Sequence, residues 1–166
     1  MAKQKEEKTN VMRVLEQKRI PYTAHTYDHE EGVAVDGVTV ARSLGQDPET
    51  VFKTLVARGA SKGIYVYEVP VAENLDLKKA AKAVGEKSIE LLHVAEINAV
   101  TGYIRGGCSP IGMKKQYPTV FHKTVTDYDT VFISGGKIGA QVEVAPKALL
   151  ELLRAGTADI ITEEKA

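Results

Sequence analysis

The chain has 166 residues, carries 22 Lys and Arg against 22 Asp and Glu, and contains one cysteine. This length suits one domain with one sizeable core, and the balanced charge demands neither a nucleic-acid nor a membrane partner, while it leaves a local basic face open. A single cysteine excludes an internal disulfide, and no CxxC or HExxH spacing offers a metal site. We therefore expect neither a metal nor a cofactor. The opening MAKQKEEKTN lacks an apolar core, so we expect a cytoplasmic protein without a membrane anchor.

The first half of the chain predicts helices and strands in uneven alternation. Residues 1–8 are polar, and we expect them to be a disordered tail, after which Thr9 or Asn10 caps a helix that Pro21 ends. The elements predicted next are a strand at 22–27, a helix at 37–44 capped by Asp36, a helical turn opened by Asp47 and Pro48, strands at 51–56 and 64–70 joined by a turn at 59–63, and a helix running from Asp76 to a stop at Gly85.

The second half predicts more strands than helices. Its predicted elements are a brief strand at 88–92, a short helix at 93–100, strands at 119–122, 130–133 and 140–144, a helix at 147–154 opened by Pro146, and an edge strand at 159–161. This order argues against a parallel βαβ stack. We therefore predict one α+β domain over residues 1–166, with a curved, barrel-like mixed sheet flanked by short helices.

A glycine-rich loop at 101–115, reading TGYIRGGCSPIGMKK, is the centre of the predicted site. Its four glycines and Pro110 prevent a regular element from continuing. Such a loop can turn successive N–H groups inward and hold a phosphate or a developing oxyanion. The alternative is a tight connection that needs glycine for steric reasons only.

Two further features accompany this loop. The segment SGGKIG at 134–139 repeats the same composition directly after the apolar run at 131–133. Lys53 interrupts the apolar strand at 51–56, and lysine is rarely buried without a partner. Lys53 therefore lies either on the solvated face of an edge strand or in a polar pocket.

The sequence offers no conventional nucleophile. Cys108 has no neighbouring histidine to raise its thiolate fraction, and neither Ser109 nor Ser134 lies in a G-x-S-x-G elbow. The histidines show no paired spacing and are interpreted as structural or solvent-facing: His25, His29, His93 and His122. The remaining groups are loop N–H donors, Lys53 and Tyr27. They favour a reaction in which the substrate brings its own nucleophile or water.

Taken in order, these segments closely resemble the YbaK/EbsC family, freestanding relatives of the editing domain inserted in bacterial-type prolyl-tRNA synthetases. The resemblance extends from about residue 9 to about residue 160. It is carried by His25-Thr26-Tyr27, Val51-Phe52-Lys53-Thr54-Leu55, Leu75-Asp76-Leu77-Lys78-Lys79, Thr101-Gly102-Tyr103, Gly106-Gly107-Cys108-Ser109-Pro110-Ile111-Gly112 and Ser134-Gly135-Gly136-Lys137.

The resemblance implies an aminoacyl-tRNA deacylase, most similar to the branch that hydrolyses Cys-tRNA(Pro) and also Cys-tRNA(Cys). Cysteine and proline are so close in size that a synthetic pocket separates them poorly, so a second site must hydrolyse the error. The implied partners are the 3′ acceptor end of aminoacyl-tRNA and prolyl-tRNA synthetase. A deacylase for another small amino acid, such as alanine on tRNA(Pro), and a non-catalytic module that binds aminoacyl-tRNA or a synthetase are the alternatives.

The resemblance also implies roles for individual residues. Lys53 would hold the terminal nucleotide's phosphate or the ester oxygen, and Tyr27 would line the pocket. The GxxxP loop would bind the aminoacyl carbonyl through its N–H groups, and the second glycine loop would contact the substrate. These loop residues are Gly106, Gly107, Cys108, Ser109 and Pro110 in the first loop and Ser134, Gly135, Gly136 and Lys137 in the second. The attacking group would be the substrate's thiol, or water assisted by the tRNA 2′-hydroxyl.

One position departs from the family pattern. Gln141 stands where many relatives carry an aspartate. Glutamine can hydrogen-bond a substrate amine, but it cannot neutralise the charge of that amine. The amino-acid preference therefore stays open at the sequence level.

Overall fold

The computed structural model describes residues 8–163, which form five α-helices and eight β-strands. The tail predicted for residues 1–8 lies outside the described residues, except for Lys8. The helices are α1 Asn10–Gln17, α2 Gly37–Ser43, α3 Leu77–Val84, α4 Val94–Thr101 and α5 Pro146–Leu153. The strands are β1 Tyr22–Thr26, β2 Phe52–Gly59, β3 Ile64–Pro70, β4 Ile89–Leu91, β5 Thr119–His122, β6 Val131–Ser134, β7 Ala140–Val144 and β8 Gly156–Ala158, and short 3₁₀ helices occupy Pro48–Thr50 and Lys123–Asp127.

Three helices begin at a polar side chain that accepts a hydrogen bond from the first helical turn. Thr9 accepts from the amide of Met12 at the start of α1, and Asp36 and Asp76 do the same at the starts of α2 and α3. Each cap satisfies amides that the helix itself leaves without a partner. The caps therefore fix where these short helices start.

The strands form two sheets. One is a five-stranded mixed sheet in the order β4-β2-β3-β5-β8, and the other is a three-stranded antiparallel sheet in the order β1-β7-β6. Within residues 8–163, the backbone bridge between Val51 and Phe132 is the one β-pairing that joins the two. The structure thus replaces the single barrel-like sheet of the prediction with two open sheets, because β6 meets β2 at one bridge and not along a ladder.

Each sheet has its own apolar cluster. Helices α1 and α5 bury Leu15 and Leu149 with the inward face of the three-stranded sheet. Helix α3 packs its alanines against Tyr67 of the five-stranded sheet, and the Tyr67 hydroxyl donates to the Ala80 carbonyl at 2.9 Å. Phe121 of β5 belongs to the first cluster, so the five-stranded sheet also contributes to the core under α1 and α5.

The last strand is displaced from its predicted position. The prediction at 159–161 followed the apolar pair Ile160-Ile161, but the strand β8 covers Gly156–Ala158 and pairs in parallel with β5. Ile160 is instead fully buried in the cluster under α3, and its amide donates to Nδ1 of His122 at 3.3 Å. Burial of the side chain, not strand pairing, explains this apolar residue.

Across residues 8–163 the helices are too short and too polar for any one of them to cross a membrane.

Candidate active site

A cavity of about 160 Å³ opens where β2 leaves β4 and approaches the three-stranded sheet. The strand β2 pairs with β4 only from Ala57 to Gly59, so the beginning of β2 borders the second sheet instead. The polar and glycine residues that line the cavity are Tyr27, Gly37, Lys53, Thr54, Gly106, Cys108, Ser134 and Gln141. Apolar residues of β2, β6 and α2 complete the walls.

Lys53 is in the pocket, not on a solvated edge. Its ammonium is half-buried, and its nearest protein acceptor is the carbonyl of Val71, at a long 3.4 Å. Burial lowers the pKa of Lys53, and the charge of Glu73 partly opposes this effect. A partly desolvated cation with one weak protein partner keeps donors available for an anionic or ester oxygen.

The first glycine loop brings two residues with unpaired amides to the cavity wall. The N–H groups of Gly106 and Cys108 donate to no other group within residues 8–163, and both residues line the cavity. The amide of Gly107 is already engaged, because it donates to the carbonyl of Ile104 at 3.0 Å. The two residues of this loop that line the cavity therefore lie on either side of Gly107, and each keeps an available backbone donor.

The two glycine loops touch each other at Gly107. A Cβ at this position would lie 2.8 Å from Cα of Lys137, closer than real Cβ atoms come to backbone. The steric explanation for glycine therefore holds at Gly107, and it is compatible with a binding role because the contact holds the two loops together. The second loop also closes on itself, since the amide of Gly136 donates to Oγ of Ser134 at 3.1 Å.

Several residues of the predicted site lie outside the cavity. Ser109 is fully buried, and its hydroxyl accepts from the amide of Ile111 at 3.3 Å. Pro110 borders a separate groove between α1 and α5, and Lys137 borders another beside β1. The residues brought together are Tyr27, Lys53, Gly106, Cys108, Ser134 and Gln141, and those left off the cavity wall are Gly107, Ser109, Pro110, Gly135, Gly136 and Lys137.

The thiol of Cys108 is poorly suited to nucleophilic attack. Burial raises the pKa of Cys108 to about 12, and the nearby carboxyl of Glu68 adds to this rise. The thiol therefore stays protonated near neutral pH, whereas a nucleophilic cysteine needs its thiolate.

Glu68 is a residue of this region that sequence analysis missed. It lies on β3 directly opposite Thr54, is fully buried, and neither of its carboxyl oxygens forms a hydrogen bond to a described group. Burial raises the pKa of Glu68 well above its usual range, and the neighbouring Thr54 hydroxyl only partly offsets the rise. The signal was a glutamate inside the apolar run IYVYEVP, which is the same anomaly that drew attention to Lys53.

The four histidines lie off the cavity wall. Nε2 of His25 is 2.9 Å from a carboxylate oxygen of Glu143, and a ring nitrogen of His29 is 2.9 Å from the carbonyl of Glu30. His93 caps the start of α4, and His122 is buried at the end of β5, beside β8. In the part of the chain that the structure describes, no three His, Cys, Asp or Glu side chains cluster closely enough to hold a metal ion.

Residues 32–152 match the family described as "Aminoacyl-tRNA editing domain". The match covers well over half of the chain, so the chain belongs to the aminoacyl-tRNA editing family. It is an enzyme of that class, a hydrolase of aminoacyl-tRNA esters.

Individual relatives agree with this assignment and confirm the YbaK/EbsC resemblance. The chain is 46% identical over 165 residues to the Enterococcus faecalis protein named "Putative Cys-tRNA(Pro)/Cys-tRNA(Cys) deacylase EbsC", a match that covers 99% of this chain and 100% of the relative. A solved structure described as "a putative trans-editing enzyme for prolyl tRNA synthetase" is 26% identical, with a TM-score of 0.78 over 92% of this chain and 95% of that one. The hypothetical protein APE2540, 22% identical, shares the fold, with a TM-score of 0.81 over 92% of this chain and 99% of that one.

Proposed function

We propose that this protein is a cytosolic trans-editing hydrolase that removes cysteine from Cys-tRNA(Pro), and also from Cys-tRNA(Cys). The observation that carries the proposal is the meeting of Lys53, Tyr27 and the free amides of Gly106 and Cys108 at one small cavity. The name of the relative that is 46% identical over nearly the whole chain supports the choice of cysteine.

The proposed role of the loop is to stabilise the oxyanion. The amides of Gly106 and Cys108 donate to the carbonyl oxygen of the aminoacyl ester, on which negative charge develops in the tetrahedral intermediate. Donors that are already in place when this charge forms cost no reorganisation, and loss of one such donor typically slows a reaction by about 100–1,000-fold. The Lys53 ammonium holds the phosphate of the terminal nucleotide or the ester oxygen.

The enzyme supplies no nucleophile in this proposal. Either water, assisted by the 2′-hydroxyl of the terminal ribose, or the cysteine thiol adds to the carbonyl carbon and gives up one proton. The bond from that carbon to the ribose 3′-oxygen then breaks, and the 3′-oxygen takes up one proton, so that the proton balance is closed. Attack by water releases cysteine, whereas attack by the thiol releases a cyclic thioester that water then opens. The raised pKa of Cys108 agrees with a mechanism in which the enzyme's own thiol does not attack.

The size of the cavity supports a small amino acid as the acyl group. Sites for drug-sized ligands usually enclose roughly 300–1,000 Å³. The cavity here is about 160 Å³. Cysteine, alanine and proline are all small enough for a cavity of this volume, so shape alone does not separate them.

The partner that the family resemblance implies is prolyl-tRNA synthetase, and the charge balance is compatible with recruitment by such a partner. With 22 basic and 22 acidic residues, the chain has little long-range attraction for RNA. Recruitment by a synthetase that already holds the tRNA would compensate for this weak affinity.

Alanine is the second candidate acyl group. The observation that favours it is Gln141 at the cavity wall, a neutral residue where many relatives carry an aspartate. A deacylation assay on Cys-tRNA(Pro), Cys-tRNA(Cys) and Ala-tRNA(Pro) decides between them. We expect the highest kcat/KM on Cys-tRNA(Pro). Preference for Ala-tRNA(Pro) would replace cysteine with alanine in the proposal, and binding without turnover on all three would favour a recognition module.

A further inference from the structure

The amide of Gln141 is held in a reciprocal pair with Gln46. Nε2 of Gln46 donates to Oε1 of Gln141 at 2.7 Å, and Nε2 of Gln141 donates to Oε1 of Gln46 at 2.9 Å. Gln141 is buried and lines the cavity, whereas Gln46 lies behind it, off the cavity wall. A buried amide needs such partners, because an unsatisfied one costs about 1–3 kcal/mol.

The end of α2 fixes the position of Gln46. The chain reverses at Gly45, whose φ of +68° suits glycine, and the amide of Gln46 then donates to the carbonyl of Ala41 at 2.8 Å. This backbone bond anchors Gln46 over β7, where Gln141 is flanked by His25 of β1 and Ser134 of β6. Two separate elements, a helix end and a central strand, thus present their amides to each other.

The pair limits what Gln141 can offer to a ligand. A primary amide has two N–H donors and two acceptor lone pairs, and the ring uses one of each from both residues. Rotation of the Gln141 amide alone by 180° would oppose like groups and break both bonds, so its orientation is coupled to that of the Gln46 amide. One donor and one lone pair remain on Gln141, without net charge.

We propose that Gln46 is a positioning residue for amino-acid selection, which acts by holding the Gln141 amide against the aminoacyl group of the substrate. This inference rests on the proposed function, and it deepens that function by assigning selectivity between small, uncharged aminoacyl esters to a neutral amide pair. Selection here depends on hydrogen-bond direction, because the pair carries no charge that could attract every α-ammonium group equally.

The test is a double-mutant cycle in which each variant is compared by its preference for cysteine over alanine. The variants are Gln46→Leu, Gln141→Leu and the double variant. Ser43→Ala is the matched control, because the Ser43 hydroxyl donates to the Val40 carbonyl in its own helix α2. For each variant we would measure the cysteine-to-alanine ratio of kcat/KM on tRNA(Pro). We would also measure the ratio of the Kd values of the cysteinyl and alanyl forms of 3′-aminoacylamino-3′-deoxyadenosine, in which a stable amide replaces the ester.

We expect Gln46→Leu to reduce the cysteine-to-alanine ratio about tenfold, the loss that one misdirected hydrogen bond to a ligand produces. Ser43→Ala should leave the ratio unchanged, and the double variant should match Gln141→Leu alone. An unchanged ratio in Gln46→Leu, a wild-type ratio near one, or full additivity in the double variant would overturn the inference. The binding ratio is read without turnover, so absence of deacylation would contradict the proposed function while the inference is still tested.

Discussion

The two sheets contribute different chemistry to the same cavity. The five-stranded sheet supplies ionisable groups, with Lys53 on β2 at the cavity wall and Glu68 buried behind it on β3. The three-stranded sheet supplies neutral polar groups, namely Ser134 at the end of β6 and Gln141 on β7. In the proposed mechanism, the five-stranded sheet contributes the cation Lys53 to charge stabilisation beside the loop amides, and the three-stranded sheet contributes hydrogen-bond direction to the choice of amino acid.

The substitution with the largest expected effect removes the cation of the five-stranded sheet. We expect Lys53→Ala to lower kcat/KM for Cys-tRNA(Pro) by about 100–1,000-fold, the range found when one transition-state donor is lost. The measurement is single-turnover deacylation with radiolabelled cysteine. Lys87→Ala, an exposed lysine before β4, is the control and should retain full activity. Equal rates for Lys53→Ala and wild type would remove the lysine from the mechanism.

The next prediction tests the contact between the two glycine loops. Gly107→Ala should lower kcat/KM about 10–100-fold and destabilise the fold by about 1–3 kcal/mol, because its Cβ would collide with the backbone of Lys137. The matched substitution is Gly156→Ala, whose Cβ would meet no atom within 4 Å. Rates and urea midpoints are the readouts. If both alanine variants behave alike, contact between the loops does not shape the site.

A smaller effect concerns the buried carboxyl of the five-stranded sheet. Glu68 has a pKa raised by burial, so the folded state binds its proton more tightly than the unfolded state does. Wild-type stability should therefore fall as pH rises above the usual pKa range of glutamate. The fall in Tm should be at most about 5 °C per pH unit, and Glu68→Gln should abolish it.

Thermal melts of wild type and Glu68→Gln between pH 5 and pH 9 would check this. The facing groups are the Thr54 hydroxyl and the Cys108 thiol, and the thiol stays neutral over this range because its pKa is about 12. Glu90→Gln, an exposed position on β4, serves as the comparison and should track wild type. A constant Tm difference between Glu68→Gln and wild type across the range would contradict the assignment.

The smallest expected effect is in the three-stranded sheet. Ser134→Ala removes the hydroxyl that accepts from the Gly136 amide, which should lower kcat/KM for Cys-tRNA(Pro) by about two- to fivefold. Lys53→Ala and Ser134→Ala should combine multiplicatively, since the two residues lie on different sheets. A drop as large as that of Lys53→Ala would show that the hydroxyl takes part in the chemistry.

Local pattern predicted most of the elements, and half of the predicted site residues line the cavity. The strands β3 and β5 and the start of α3 were predicted at the residues where they occur, because alternation, caps and glycine stops are signals within a few residues. The convergence of Lys53, Tyr27 and Gln141 agreed with the family resemblance, which orders segments that lie far apart in the chain. The roles given to those residues stay predictions.

Long-range features were less accessible. The division into two sheets depends on β1 pairing with β7, over a hundred residues later, and no local signal encodes that choice. The Gln46 contact has the same origin, since 95 positions separate it from Gln141. The engaged amide of Gly107 was also invisible, because loop composition shows that donors exist but not where each one points.

The solitary backbone bridge between Val51 and Phe132 has a consequence for how such enzymes diversify. Because hydrogen-bonded ladders do not run continuously from one sheet into the other, we expect a substitution on β7 to leave the register of β2 unchanged. Under the proposed roles, descendants of this fold would exchange the amino acid that they recognise by changing one half of the molecule, while the half that holds the cation is inherited intact.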